Sequence, residues 1–247
     1  MDRGSAPLKA HMANCSEMEI RQTRRGCFQE LLGCEAKTEF KYFIGSDQIA
    51  QSLDDDDCFC RMCCGPIHPF KTAVKELNTE AELVTLDRPL ACAVGACKCC
   101  CYQEADITSD GAKIGHIKEE YYYCVPRFNI TDHDDQPLYK MHSPTCLGGM
   151  CVDCCAEGNP CGKGCCRVSF RFYDANQADT DGDAEYLGSV LKKPKSTMTE
   201  IFTDADAFEV KFPTEATPAQ KGIFIASTIF LNALFFEYQD QDGGGGY

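Results

Sequence analysis

Two kinds of side chain in this 247-residue chain could do chemistry: thiols and closely spaced carboxylates. The 20 cysteines fall in runs, among them Cys63-Cys64, Cys99-Cys100-Cys101, Cys154-Cys155 and Cys165-Cys166. Neighbouring cysteines point apart, which suits separate thiols better than a disulfide framework. The first thirty residues hold no apolar run of the kind that heads a secreted chain, so a reducing, cytosolic setting is expected. Cys151 and Cys154 form a C-x-x-C pair, and with Cys161 and Cys165 they could close a tetrahedral zinc site. Reduced thiols in loops are the plainer reading of that spacing. Cys97, Cys99, Cys100 and Cys101 flank Lys98, a poor metal knuckle. They suit S-acylation, where several chains are needed because one holds a membrane only reversibly.

The carboxylates suggest a hard cation. Calcium takes six or more oxygens, and a twelve-residue loop supplies them from positions 1, 3, 5, 7, 9 and 12. Counted from Asp204, those positions are Asp204, Asp206, Phe208, Val210, Phe212 and Glu215. Val210 would offer its carbonyl and Glu215 could bind through both oxygens. Phe208 and Phe212 bring no side-chain oxygen, and Glu209 stands where a sharp-turn glycine is usual. Read alone, the alternation 207–212 resembles a strand more than a calcium loop.

Charge excludes some functions. Lys and Arg number 24 against 38 Asp and Glu, a formal net charge of −14. Such a chain binds nucleic acid or anionic headgroups poorly unless a cation intervenes. No G-x-S-x-G or Walker A loop occurs, and the five histidines are scattered, so no bond-making enzyme is expected.

The elements that must position these groups are mostly short strands. Segments 40–43, 48–52, 70–77, 83–86, 114–117, 127–130, 138–141, 167–172, 186–191 and 208–212 read as strands separated by turns such as Gly45-Ser46 and Asn78-Thr79. About ten strands at this spacing predict an all-β sandwich or barrel. Residues 1–25 read as a flexible tail, and 240–247 as a glycine-rich one. One helix is expected: Thr217, Pro218 and Gln220 make a capping box with Pro at N1. The run 222–236 then carries no charge. It is apolar all round, which a helix needs only in lipid or inside a barrel. At about 22 Å it falls short of the roughly 30 Å hydrocarbon core. Asn232 also favours a protein interior, where an amide can find a partner.

In collinear order, "CCGPIHPF", "LVTLDRPLAC", "CKCCCYQE", "FTDADAFEVKFP" and the ending "LFFE" resemble the phospholipid scramblase family, from about residue 27 to 237. The resemblance implies a mainly β fold like that of tubby C-terminal domains: a closed antiparallel barrel of about twelve strands around a central C-terminal hydrophobic helix, spanning 26–239. It implies palmitoylation at Cys97, Cys99, Cys100 and Cys101, and a weak calcium site on the segment from Asp204. The implied activity is calcium-dependent, ATP-independent movement of phospholipids between leaflets, at the cytosolic face of the plasma membrane, with a nuclear pool and protein partners in some members. The alternative is a palmitoylated, membrane-tethered lipid- or protein-binding module without transport. Lys98, Glu209 and Asn232 depart from the family pattern.

Overall fold

The structure is a computed structural model and describes residues 2–24, 38–54, 68–91, 98–122, 125–143, 168–177, 185–193 and 207–236. Twelve strands follow one another as a meander: β1 (Glu17–Arg24), β2 (Thr38–Ile44), β3 (Asp47–Asp54), β4 (Phe70–Glu76), β5 (Glu82–Arg88), β6 (Glu104–Ser109), β7 (Ala112–Glu119), β8 (Arg127–Asp132), β9 (Pro137–His142), β10 (Val168–Asp174), β11 (Gly188–Lys193) and β12 (Ala207–Lys211). Each pairs antiparallel with the next, and β12 returns to β1 with Ile20 opposite Phe208, closing the barrel. Closure removes the unpaired edges that would otherwise invite association.

A meander of this kind sorts its connections. The β2–β3, β4–β5, β6–β7, β8–β9 and β10–β11 links lie at one end, the hairpin end. The β1–β2, β3–β4, β5–β6, β7–β8, β9–β10 and β11–β12 links lie at the other, here called the rim. The hairpins are tight where the residues allow it. Asp110 and Gly111 both take positive φ, the pattern a two-residue turn between twisted strands requires.

The expectation of a flexible tail over 1–25 does not hold. Ala6–Met12 is a helix, α1, started by Ser5, whose hydroxyl accepts from Leu8 N, and Leu8 and Met12 are buried one turn apart. Residues 17–24 are β1, paired on both sides with β12 and β2. Its inward positions are Met18, Ile20 and Gln22, and the polar third member hides the alternation. β6 escaped the sequence reading for a similar reason, because only Ala105 and Ile107 mark its buried face as apolar.

The barrel is filled by α2 (Pro218–Leu231), which runs on into a π-helical turn, Asn232–Phe236. The capping box is formed: Thr217 Oγ1 accepts from Gln220 N at 3.3 Å, and Gln220 Oε1 accepts from Thr217 N at 2.8 Å. The helix thus begins four residues before the uncharged run. At about 28 Å in all it has the length to cross a bilayer. The β wall covers it instead, with every residue from Lys221 to Leu234 buried. Phe224 stacks on Phe172 at 3.9 Å and meets Tyr139 edge-on, while Phe230 meets Phe128 edge-on at 5.5 Å. Each such ring contributes on the order of 1.5–3 kcal/mol by leaving water. Gly115 and Gly188 permit this approach, since a Cβ on either would come within 2.7 Å of Ile223 or Phe224. Ser227 and Thr228 donate to the carbonyls of Ile223 and Phe224 one turn back, so their hydroxyls need no lipid or water partner.

α1 plugs the hairpin end over the start of α2. Asp2 Oδ1 accepts from Ala219 N at 3.1 Å, capping α2, and Lys221 Nζ donates to Met12 O at 2.8 Å. Lys221 is buried yet satisfied, because the last turn of α1 supplies a carbonyl and Phe212 a ring face 6.0 Å away.

Candidate functional site

The thiol turn that leads into β6 is held by a buried polar network. Lys98, whose side chain is nearly buried, forms an ion pair with Glu119 at the end of β7. The same Glu119 oxygen, Oε2, accepts from Gln103 N at 2.8 Å, and Glu119 N donates to Gln103 O at 2.7 Å. Gln103 Oε1 in turn accepts from Arg88 Nη2 at 2.6 Å. Tyr102 closes the turn by donating its hydroxyl to Lys98 O, and its ring lies 5.9 Å from the Lys98 ammonium. A buried carboxylate persists only where its charge is matched and its lone pairs are used, and Glu119 meets both conditions.

The outer side of this turn carries the thiols. Cys99 and Cys100 are exposed with their sulfurs 3.9 Å apart, and Cys101 is half-buried. Cys101 has φ +59°, a left-handed backbone that bends the chain sharply into β6. For a residue with a Cβ that conformation costs about 1–2 kcal/mol, which the anchored network offsets. The arrangement presents exposed sulfur nucleophiles from a fixed base, as thioester formation requires. Of the four acylation candidates, the structure brings Cys99, Cys100 and Cys101 together. Cys97 lies outside the described residues, as do Cys151, Cys154, Cys161 and Cys165 of the zinc reading. Among the described residues no group of three or more His, Cys, Asp or Glu could hold a metal.

The segment read as a calcium loop is, where described, barrel wall. Phe208, Val210 and Phe212 are buried and face α2, with Phe208 5.8 Å from the Phe236 ring. Phe208 and Val210 are paired on both sides, opposite Ile20 and Met18 of β1 and Lys192 and Val190 of β11. A paired strand rises about 3.3 Å per residue and does not wrap an ion. Glu215 is exposed past the hairpin-end terminus of β12, whereas Asp204 and Asp206 precede its rim-end terminus and lie outside the described residues. Of the six positions, Phe208, Val210, Phe212 and Glu215 are described, and Asp204 and Asp206 are not.

Glu209, the outward residue of β12, belongs to a surface network with Lys193 at 3.6 Å and Lys211 at 3.2 Å, while Lys193 also reaches Glu19 at 2.9 Å. Burial alone would raise the Glu19 carboxyl, but hydrogen bonds from Lys193 and Arg21 outweigh it and leave it below its ordinary range. The Glu209 hydrogen bond holds Lys211 above its own. Glu209 is thus committed to lysines of the wall.

Sequence reasoning missed Arg88, Gln103 and Glu119. They stand far apart along the chain, and only the strand pairing of β5, β6 and β7 brings them together.

Comparison with known proteins bears on the whole barrel. The family model described as Scramblase matches residues 12–238. The human protein named phospholipid scramblase 1 is 30% identical over 212 residues, covering 84% of this chain and 59% of its own length. The cattle protein named phospholipid scramblase 2 is 28% identical, covering 84% of this chain and 64% of its own. The human protein named phospholipid scramblase family member 5 is 26% identical, covering 84% and 69% respectively. The chain thus spans less than two thirds of the length of the first two of these relatives. No solved structure matches it. With a closed barrel around a buried helix, a fixed thiol turn, and a family match reaching from the end of α1 past the π-helical turn, this chain belongs to the scramblase family.

Proposed function

We propose that this protein moves phospholipids between membrane leaflets without ATP, held by acyl chains to the cytosolic face of the plasma membrane. The observation that carries the reading is the family match across the whole barrel, thiol turn included. The sulfurs of Cys99 and Cys100, with Cys97 and Cys101 beside them, are the acylation sites. Several acyl chains overcome what a net charge of −14 opposes, namely approach to an anionic leaflet. The bore is packed with Phe224, Phe230 and Phe236, so a headgroup does not pass through the barrel. Lipid crosses outside it, in bilayer disturbed by the docked protein. Calcium dependence rests on Asp204 and Asp206, two carboxylates two residues apart in the sequence, which offer oxygens to a hard cation. No phosphate-cradling loop or catalytic constellation is present in the sequence, in keeping with a lipid transporter rather than an enzyme.

The filled bore also favours a second reading, a tethered module that binds lipid or protein without transport. Liposomes carrying labelled phospholipid and the acylated protein decide between the two when dithionite is added with and without millimolar calcium. Loss of the inner-leaflet signal only with calcium, abolished by Asp204→Ala/Asp206→Ala, is the expected result. Protein that is folded and vesicle-bound yet gives no loss beyond empty liposomes establishes the second reading.

A further inference from the structure

The seam between β5 and β6 has the shortest ladder among the described residues. It carries three residue pairs, from Thr85–Thr108 to Asp87–Asp106, while the β4–β5 and β6–β7 ladders on either side carry six each. Both strands run on past those pairs, and there side chains take over from the backbone. Toward the rim, Arg88 of β5 donates to Gln103, the residue that leads into β6. Toward the hairpin end, Ser109 Oγ of β6 donates to Leu83 O of β5 at 2.6 Å.

The Ser109 hydroxyl is set by the segment that carries α1. Ser5 N donates to Ser109 Oγ at 2.9 Å, and Ser5 Oγ donates to Glu82 O at 3.2 Å while accepting from Leu8 N. An N–H can only donate, so each hydroxyl receives one proton and has its own left for a β5 carbonyl. Ser5 thus bonds to both strands of the seam, and both serines are buried, where a lost partner is costly. Packing follows the same line. A Cβ on Gly222 of α2 would come within 3.0 Å of Leu8 and of Val84 in β5, and within 3.2 Å of Ile114 in β7, so Leu8 closes over the start of α2 beside the seam. The other fastenings of this segment reach elsewhere: Asp2 and Met12 hold α2, and His11 Nε2 lies 2.6 Å from Glu76 Oε1 on β4.

We propose that residues 2–12 are a strap that keeps the β5–β6 seam shut, and that lifting the strap opens the wall at this seam while the other ladders hold. The strip uncovered is apolar: Val84 and Leu86 of β5 and Ala105 and Ile107 of β6, all fully buried when the strap is seated. The strap is thus the control point of the barrel, switching it between a sealed form and one open along a single seam. The proposal needs neither acyl chains nor lipid transport, so its test stands apart from the preceding reading.

Amide hydrogen exchange of the full-length protein in membrane-free buffer, resolved residue by residue by nuclear magnetic resonance, tests it. Ser5→Gly removes the hydroxyl that bridges to β5, and Leu8→Ala removes the side chain that seats the strap. Val190→Ala, a core truncation in β11, controls for a general loss of stability. In both strap variants, amides over 83–87 and 105–109 are expected to exchange faster by a factor at least about tenfold larger than any rise in β1, β11 and β12, the signature of a local opening. Val190→Ala should show no preference for the seam. Uniform acceleration around the barrel in the strap variants, or an unchanged seam, overturns the proposal. Seam-first acceleration in Val190→Ala overturns it too, since the seam would then yield with the strap in place. If Leu8→Ala does not fold, Ser5→Gly, which removes only a hydroxymethyl group, decides the question alone.

Discussion

Lys98 and Glu119 form a buried ion pair across the β6–β7 edge, and this pair holds the thiol turn against the barrel. Removing one partner leaves a desolvated charge, which costs about 3–5 kcal/mol in comparable buried pairs. Glu119→Ala is therefore expected to lower the urea midpoint markedly. Lys98→Met/Glu119→Leu, which removes both charges but also the acceptor of Gln103 N, is expected to recover part of the loss. If the double variant unfolds as early as the single one, the pair is not what secures the turn.

Thiol reactivity should follow position. Burial pushes the Cys15 thiol up, only partly countered by Lys221, while Cys99 and Cys100 are exposed. Mapping by mass spectrometry after brief maleimide treatment at pH 7 should find Cys99 and Cys100 modified. Cys15 should react at least about 100-fold more slowly until denaturant is added, as thiolate population and access both require. Equal rates in the native protein would place Cys15 outside the core.

Tyr139 gives a pH dependence with a defined sign. Burial, aided by the nearby Asp174 charge, pushes its phenol up to about 12. The unfolded chain loses that proton near pH 10 and the folded chain near 12, so folding retains a proton in between and stability falls as pH rises through this window. The whole effect is at most about 2.7 kcal/mol, because each pKa unit is worth about 1.36 kcal/mol. Unfolding curves from pH 9 to 12 for wild type and Tyr139→Phe check it. The variant should show a shallower alkaline decline, and parallel curves would assign the decline to other groups.

Asn232 is buried at the junction of α2 with the π-helical turn, and its Oδ1 accepts no hydrogen bond among the described residues. An orphaned acceptor costs about 1–3 kcal/mol, so Asn232→Leu should raise the thermal midpoint rather than lower it. The sequence reading expected this amide to find a protein partner. The interior location holds, but its carbonyl has no partner among the described residues.

Most of the barrel was legible because ten strands announce themselves through turns and alternation, and α2 through its capping box and uncharged run. β1 and β6 were harder to see, since Gln22 and Ser109 sit on their inward faces and break the apolar period. α1 is a single pair of core residues, Leu8 and Met12, too short to show a helical stripe. For the candidate site, the thiol turn could be read directly, but its anchor could not. Arg88, Gln103 and Glu119 become neighbours only through strand pairing. The acidic segment shows the opposite case. Its acids suggest a calcium loop that Phe208, Phe212 and Glu209 fit poorly, and where it is described the alternation of Phe208, Val210 and Phe212 is that of a wall strand facing α2.

The central claim is that the apolar helix stays inside its own wall while the protein sits on a membrane. Phe230→Trp places the chain's one indole in α2, at a fully buried position. With the acylated variant bound to vesicles of brominated lipid, its emission should be blue-shifted and no more quenched than in vesicle-free solution. Quenching well above the vesicle-free level would mean that α2 leaves the barrel for the bilayer, and would contradict the account.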